Sequence, residues 1–419
     1  MGLEELGWPT PPAELFIWPS QKELIEISKK RDLTSDELLA LKSRSFFKPI
    51  QLLHFAKGDD EFDKRLVVTI AYNIMREQDE GEDASKNLSI EDKVWSIQRF
   101  SYIVGDVVRR DPNGRGIDFI INSSDFQTLT QKLIQGASDE FAKAFVEQFG
   151  KGTVLKDLYN LGKEQDGKSM KEAIDYCTKS MAVGMITFLE RGPIETVNQL
   201  HNYCYWIAGR IGSGLLNKLL ELKDKVKLDD NLAERFGKFL QLINITKNVR
   251  ADYIEGRRFI PGELIHGNIS YEYMMDGKGL DAQYRKKEVF DKMVKFIEDN
   301  IGASIDYIKS VPSKLSGYKA FCDFCFLLGQ MTLQKMKESG AERVFNGDED
   351  AIKVQHSIKS LTDLSYGIVK YKGGIYANEF LEEYGQNPKK FSFRDGEYEK
   401  GLEDWIKRKE LINQPPASP

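Results

Sequence analysis

The chain has 419 residues, 41% of them hydrophobic and 30% charged, with a formal net charge of −5. That balance suits a globular protein with a large buried core, and the slight acidity favours neither nucleic acid nor an anionic membrane as a partner. Thirteen Pro and 34 Gly exclude a collagen-like or linker-dominated chain, and four Cys exclude a disulfide scaffold.

Residues 1–20 hold three Glu and four Pro and lack the basic start and apolar run of a secretion signal. No stretch of about 20 apolar residues follows, so no transmembrane anchor is expected, and the expected compartment is cytoplasmic. Beyond residue 34, apolar residues recur at three- and four-residue spacing between Gly, Asn, Asp and Pro breaks. This predicts helices over roughly 35–56, 60–78, 90–109, 124–148, 168–190, 195–223, 229–253, 284–309, 317–338 and 350–368. Thr34-Ser35-Asp36-Glu37 and Ser138-Asp139-Glu140 offer capping oxygens and early acids. Pro193 stands where the 195–223 helix can begin. No alternating run is long enough for a sheet, and no repeat is visible. The reading is an all-α chain with one helical domain over 35–370, between peripheral segments 1–34 and 371–419. The latter carries a helix near 396–411.

Cys322 and Cys325 read C-D-F-C with no second pair, and His54, His201, His266 and His356 are scattered. Buried helical cysteines, not a zinc site, are expected.

Four stretches carry chemistry. In Tyr72-Asn-Ile-Met-Arg76-Glu-Gln-Asp79-Glu-Gly-Glu82-Asp83, a helix places Tyr72, Arg76, Asp79 and Asp83 on one face, with Glu82 flanking it. Such carboxylates are hard ligands that hold Mg2+ with positions left for phosphate oxygens. The same spacing also suits a solvated acidic helix end. In the second stretch, Phe239 to Pro261, Gln241, Asn244 or Ile245, Asn248 and Asp252 share a face. Lys247, Arg250, Arg257 and Arg258 supply positive charge beside them. A polar helix end followed by a basic loop would look alike. In the third, Tyr203 to Leu215, Ala208, Gly209 and Gly212 thin one helix face, either for a bulky apolar ligand or for tight helix packing. The fourth, Ser43-Arg44-Ser45-Phe46, sets two hydroxyls around a cation, a weak phosphate signal by itself.

In this order the stretches resemble the squalene/phytoene synthase family, most of all its eukaryotic-type squalene synthases. The likeness rests on Ser43-Arg44-Ser45-Phe46, then Tyr72-x3-Arg76-x2-Asp79-x2-Glu82-Asp83, then Met181-Ala-Val-Gly184-Met185. Tyr203-Cys204 with Ala208-Gly209 and Gly212-Ser-Gly214 follow, then Gln241-x2-Asn244-Ile245, Arg257-Arg-Phe259-Ile-Pro261 and Phe324-Cys325. It covers roughly residues 40–365. The resemblance implies an isoprenoid-synthase-type helical bundle around a central apolar cavity. It implies two acidic helices that bind a prenyl diphosphate through Mg2+, ionisation of that allylic diphosphate, and head-to-head joining of two prenyl chains. NADPH serves as reductant where squalene is the product. It also assigns roles: Tyr72, Arg76, Asp79 and Asp83 in catalysis; Asp79, Glu82, Asp83, Asn248 and Asp252 at the metal. Ser43, Arg44, Ser45, Phe46, Tyr203, Ala208, Gly209, Gly212, Gln241, Asn244, Lys247, Arg257 and Phe324 would meet substrate.

Two departures from the family pattern stand out. The second acidic motif reads Asn248-Val-Arg250-Ala251-Asp252, with Asn and Ala in place of two carboxylates and Lys247 in place of an Arg. The helix before Met181 has Met170 or Ser169 where the resemblance leads one to expect a catalytic tyrosine. These changes keep open transfer or cyclisation of a single prenyl chain with a second small-molecule acceptor, and a non-catalytic lipid-binding relative. A monomer is the default expectation.

Overall fold

The computed structural model describes residues 19–42, 49–54, 60–83, 88–110, 117–163, 166–265, 269–354 and 379. The expected helix near 396–411, the C-terminal segment from 371 apart from residue 379, and the extension of the 350–368 helix beyond 354 lie outside the described residues. Among the described residues the chain is helical throughout, with no strand.

Two long helices carry the acidic motifs: Asp60–Asp83 and Asp230–Ile254. The first lies against Ile90–Arg109 and Gly167–Arg191, which also pack on each other. The second lies against Ile301–Ser310, Leu280–Glu298 and Ser316–Ser339. The short Leu52–His54 turn joins the two sides, touching both Asp60–Asp83 and Ser316–Ser339. Local chemistry sets many of the helix starts. Thr34 and Glu37 exchange capping bonds of 3.2 and 2.9 Å. Asp139 accepts from the Ala142 amide at 2.7 Å.

That Asp139 cap divides the expected 124–148 helix into Ser124–Gly136 and Glu140–Phe149. The expected 284–309 helix likewise becomes Leu280–Glu298 and Ile301–Ser310. Pro193 does not open a helix. The helix starts at Val197, where Thr196 and Gln199 form a capping box, while Ile194 bonds the Arg258 carbonyl at 3.1 Å. Within the segment read as peripheral, the Gln21–Ser28 helix buries Leu24 and its Gln21 side chain reaches the Leu41 carbonyl at 2.6 Å. All four cysteines are buried and unpaired.

The helix starting at Val197 continues through two π-helical stretches, Tyr205–Gly209 and Ile211–Leu216, before resuming as Asn217–Asp224. Its glycines lie against Asp230–Ile254. A Cβ on Gly209 would sit 3.3 Å from the Glu234 carbonyl oxygen, and one on Gly212 would sit 2.7 Å from that of Ala233. Gly237 of the facing helix answers them, its Cβ position 2.5 Å from the Ala208 carbonyl oxygen. Gly209 and Gly212, with Gly237 against the Ala208 backbone, therefore serve helix contact, the tight-packing alternative of the two that this stretch left open. The reason is steric: only residues without a Cβ let two backbones come this close.

Gly212→Ala gains about 1 kcal/mol of helix propensity, yet the contact with a rigid carbonyl outweighs that gain. The expected outcome is a net loss of about 1–2 kcal/mol, read as a lower urea midpoint at unchanged m-value; an unchanged midpoint would refute the close contact.

Candidate active site

The C-terminal end of Asp60–Asp83 presents Arg76, Asp79 and Asp83 together, each about a quarter exposed. Arg76 pairs with Asp79, reaches Asp83 at 3.4 Å, and turns back to the buried Glu80 at 2.8 Å. Lys42 supports Glu80 from behind at 2.8 Å. Tyr72 stands one turn before Arg76 and acts on it electrostatically.

The opposing acid, Asp252, is almost buried near the end of Asp230–Ile254. That helix ends in a Schellman turn. Gly256 takes φ +82°, its amide bonds the Tyr253 carbonyl at 3.0 Å, and the Arg257 amide bonds the Asp252 carbonyl at 2.8 Å. The turn folds Arg257 back over its own helix end. Its guanidinium bonds Asp252 at 2.8 Å and Glu255 at 2.6 Å, and pairs with Asp83 of the first acidic helix. One side chain thus joins both acidic helices. Burial, with Glu255 and Asp79 close by, pushes the Asp252 carboxyl up to about 7 against the pull of Lys247. Lys247 is largely buried beside Asp252, and burial pulls its ammonium down.

Glu82 does not open onto the rim. It is buried, both its carboxylate oxygens accept from the Tyr203 hydroxyl at 3.1 and 3.2 Å, and burial pushes it up to about 8. Its expected place at the metal is therefore not where the structure puts it: the carboxylate is turned inward onto the Tyr203 hydroxyl. Tyr203 brings its hydroxyl to this acidic helix through Glu82. Around it, Phe188, Tyr203 and Phe259 form an aromatic triad with centroids 4.6 to 5.4 Å apart, and Arg257 lies 5.9 Å from the Phe259 ring. A pocket of about 170 Å3 adjoins the triad, lined by Gly184, Phe188, Ile194, Tyr203 and Trp206, with Arg191 and Asn202 among its polar residues.

Other expected residues are placed less centrally. Ser43, Arg44, Ser45 and Phe46 lie outside the described residues. Asn244 is exposed and Ile245 is in the core, which decides between them. The Asn248 amide donates to Asn244 at 3.1 Å, and Gln241 is half-buried on the same helix. Arg250 and Arg258 turn away, to Asp276 at 2.8 Å and to Glu272. Phe324 is packed in the core at 1% exposure, so it does not line an open cavity here. Phe188 carries no motif of its own in the sequence, although it shares a helix face with Met181 and Gly184. Lys93 bonds the Glu82 carbonyl at 3.2 Å and likewise has no motif to mark it.

The squalene/phytoene synthase family model matches residues 63–356. The chain belongs to the squalene/phytoene synthase family. It is 27% identical over 237 residues to the squalene synthase ERG9 of Saccharomyces cerevisiae, covering 54% of this chain and 45% of the yeast protein. It is also 27% identical over 312 residues to the squalene synthase of Bos taurus, covering 73% of this chain and 63% of the bovine one. The matched stretches thus span less than two thirds of either relative. The solved structure of TcSQS with the ligand E5700 superposes with a TM-score of 0.60 at 19% identity, covering 91% of this chain and 96% of that one. TcSQS with BPH1237 gives 0.59 at the same identity and coverage. The fold is that of the isoprenoid-synthase-type helical proteins. Among the described residues no helix is long and apolar enough to cross a membrane.

The buried acid generates a pH prediction. Glu82 rises from 4.5 to about 8 on folding, so its proton favours the fold at low pH and that contribution is lost as pH rises through about 8. Glu82→Gln has no such proton to lose. Its melting temperature should gain on the parent between pH 6 and pH 8.5, read in paired thermal melts; a gap that does not widen with pH would show that Glu82 ionises freely.

Proposed function

We propose that the protein is a Mg2+-dependent prenyltransferase that ionises an allylic, farnesyl-like prenyl diphosphate and joins two prenyl chains head to head. The observation that carries this reading is the convergence of Asp79, Asp83 and Asp252, from two helices, on Arg76 and Arg257 beside the Phe188, Tyr203 and Phe259 rings.

The donor types suit a divalent cation, three hard carboxylates on one rim with Asp79 acting electrostatically on Asp252 across it. Among the described residues no three acids, His or Cys stand close enough together to enclose an ion, and the rim carboxylates are paired with guanidiniums. Asp79, Asp83 and Asp252 would hold the metal, helped by the Asn248 carbonyl. When bound, Mg2+ supplies positive charge against the diphosphate leaving group.

The chain's own residues provide the remainder. Arg76, Arg257 and Lys247 offer cationic donors to diphosphate oxygens as they leave. Phe188, Tyr203 and Phe259 present π-faces to cationic carbon. The buried Ile194 and Tyr203 of the pocket wall keep water from it. Glu82 fixes the Tyr203 hydroxyl and so holds its proton at a set position. The pocket's 170 Å3 lies below the roughly 300–1,000 Å3 of sites for drug-sized ligands, so it accommodates the reacting end of a chain rather than a whole farnesyl group.

A second reading is transfer or cyclisation of one prenyl chain with another acceptor. It is favoured by the second acidic helix, where Asn248 is engaged with Asn244 and Ala251 is exposed. Incubation with farnesyl diphosphate and Mg2+, with and without NADPH, separates the two. Squalene or its cyclopropyl precursor supports head-to-head joining; diphosphate release that requires another acceptor supports the second reading; no release at all defeats both.

Asp79→Asn should lower diphosphate release at least roughly 100-fold, the scale of losing one charge-stabilising group; activity within a few-fold of the parent would defeat the metal assignment. Asn248→Asp should tighten the apparent Mg2+ affinity in the same assay, and an unchanged titration would place Asn248 away from the metal.

A further inference from the structure

Every carboxylate on the rim is already engaged by a guanidinium, and the two guanidiniums are held differently. Arg76 projects from mid-helix, and its partner off the rim, Glu80, is 3% exposed and backed by Lys42. Arg257 stands on the turn after its helix, where Gly256 is in the left-handed region. It contacts Asp83 and Asp252 on the rim, and its partner off the rim is Glu255, half exposed at 49%. Arg257 therefore occupies the gap between the acidic helices that a divalent cation would need, while a second carboxylate lies beside it and outside that gap.

We infer that Arg257 is a latch: it stands in for the divalent cation by bridging Asp83 and Asp252, and it must move onto Glu255 for that cation to bind. The inference rests on the metal-binding reading proposed above. Its physical basis is charge bookkeeping. A guanidinium and a divalent ion cannot both take the same carboxylate oxygens, so their binding is mutually exclusive at Asp83 and Asp252. Glu255 lowers the cost of displacement because it keeps one charge-assisted bond to Arg257 after the other two are given up. Nothing in the exchange is covalent: two ion pairs break, one persists, and the cation takes the freed oxygens. Arg76 has no comparable freedom, since its partner off the rim, Glu80, is buried and already shared with Lys42.

The latch gives Glu255 a role that its exposed position hides. Without it, Arg257 has partners only on the rim and competes harder against the cation. Removing Arg257 should have the opposite effect, so that loss of a substrate-facing cation improves metal binding in the absence of substrate. Ordinary loss of a nearby negative charge would also weaken cation binding in Glu255→Gln, so the two effects must be separated. A double-mutant cycle does so, because the latch requires Glu255 to act through Arg257.

The test is substrate-free Mn2+ binding to the full chain, read from the free-ion electron paramagnetic resonance signal, with Mg2+ competition. Arg257→Gln should bind on the order of 3- to 10-fold more tightly than the parent, and Glu255→Gln more weakly by a similar factor, the range of couplings between neighbouring charged groups. In the Arg257→Gln background, Glu255→Gln should change little. Arg257 meets Asp83 through one terminal nitrogen and Asp252 through the other. Arg257→Lys keeps the charge but replaces that planar fork with a single compact ammonium, so it should also bind more tightly than the parent, and it guards against a folding defect in the Gln variant. Equal weakening by Glu255→Gln in both backgrounds, or unchanged or weaker binding in both Arg257 variants, would overturn the latch while leaving the metal-dependent reading intact. No binding by any variant would overturn both.

Discussion

Carboxylates gathered from two helices at a half-buried rim repel one another, and the protein must compensate them with positive charge close by. Arg257 is where that compensation becomes structural, because one side chain reaches Asp83, Asp252 and Glu255 together. Its position depends on the Schellman turn at Gly256. The turn's position depends on how Asp230–Ile254 sits, which the backbone contacts at Gly209, Gly212 and Gly237 determine. A constraint of charge at the rim thus extends down to a constraint of volume between two backbones.

Buried polar contacts hold the same helices from the other side. On the first acidic helix, Asn73 donates to the Ser35 carbonyl at 2.8 Å and Gln78 to Ser101 at 2.9 Å. Lys64 pairs with Asp224 at 2.6 Å, tying the start of that helix to the end of the π-containing one. Deeper in the molecule, Tyr307 and Tyr318 share a 2.7 Å hydrogen bond, Tyr307 also donates to Asn217 at 2.7 Å, and Asn217 donates to Asp230 at 2.8 Å. Such bonds add little net stability each, but leaving a partner unmatched in the core is costly. They fix which helices are neighbours more than how strongly they adhere.

Helix periodicity was legible at once where the pattern was regular: the 90–109 expectation coincides with Ile90–Arg109. Boundaries failed where a single capping side chain interrupts an unbroken apolar pattern, as at Asp139. The acidic face of Arg76, Asp79 and Asp83 was legible because helical spacing alone aligns it. Three things were not. Glu82 shares its motif with Asp79 and Asp83, yet only the position of Tyr203, 121 residues away, turns it inward. Gly209 and Gly212 read equally well as room for a ligand or room for a helix, and the choice belongs to the neighbour. Phe188 becomes part of an aromatic wall only through Tyr203 and Phe259. Each depends on a contact distant in sequence, which no local pattern encodes.

The two π-helical stretches between Tyr203 and Asn217 carry a consequence of their own. Each π turn accommodates one extra residue, and each residue rotates a helix by about 100°. The helix therefore serves two separate clients, Glu82 at one end and the tyrosine pair at the other, only because its phase is reset along the way. Deleting one residue there would preserve a helix while swinging one end out of register with the other. In this segment, length is as much a part of the information as residue identity.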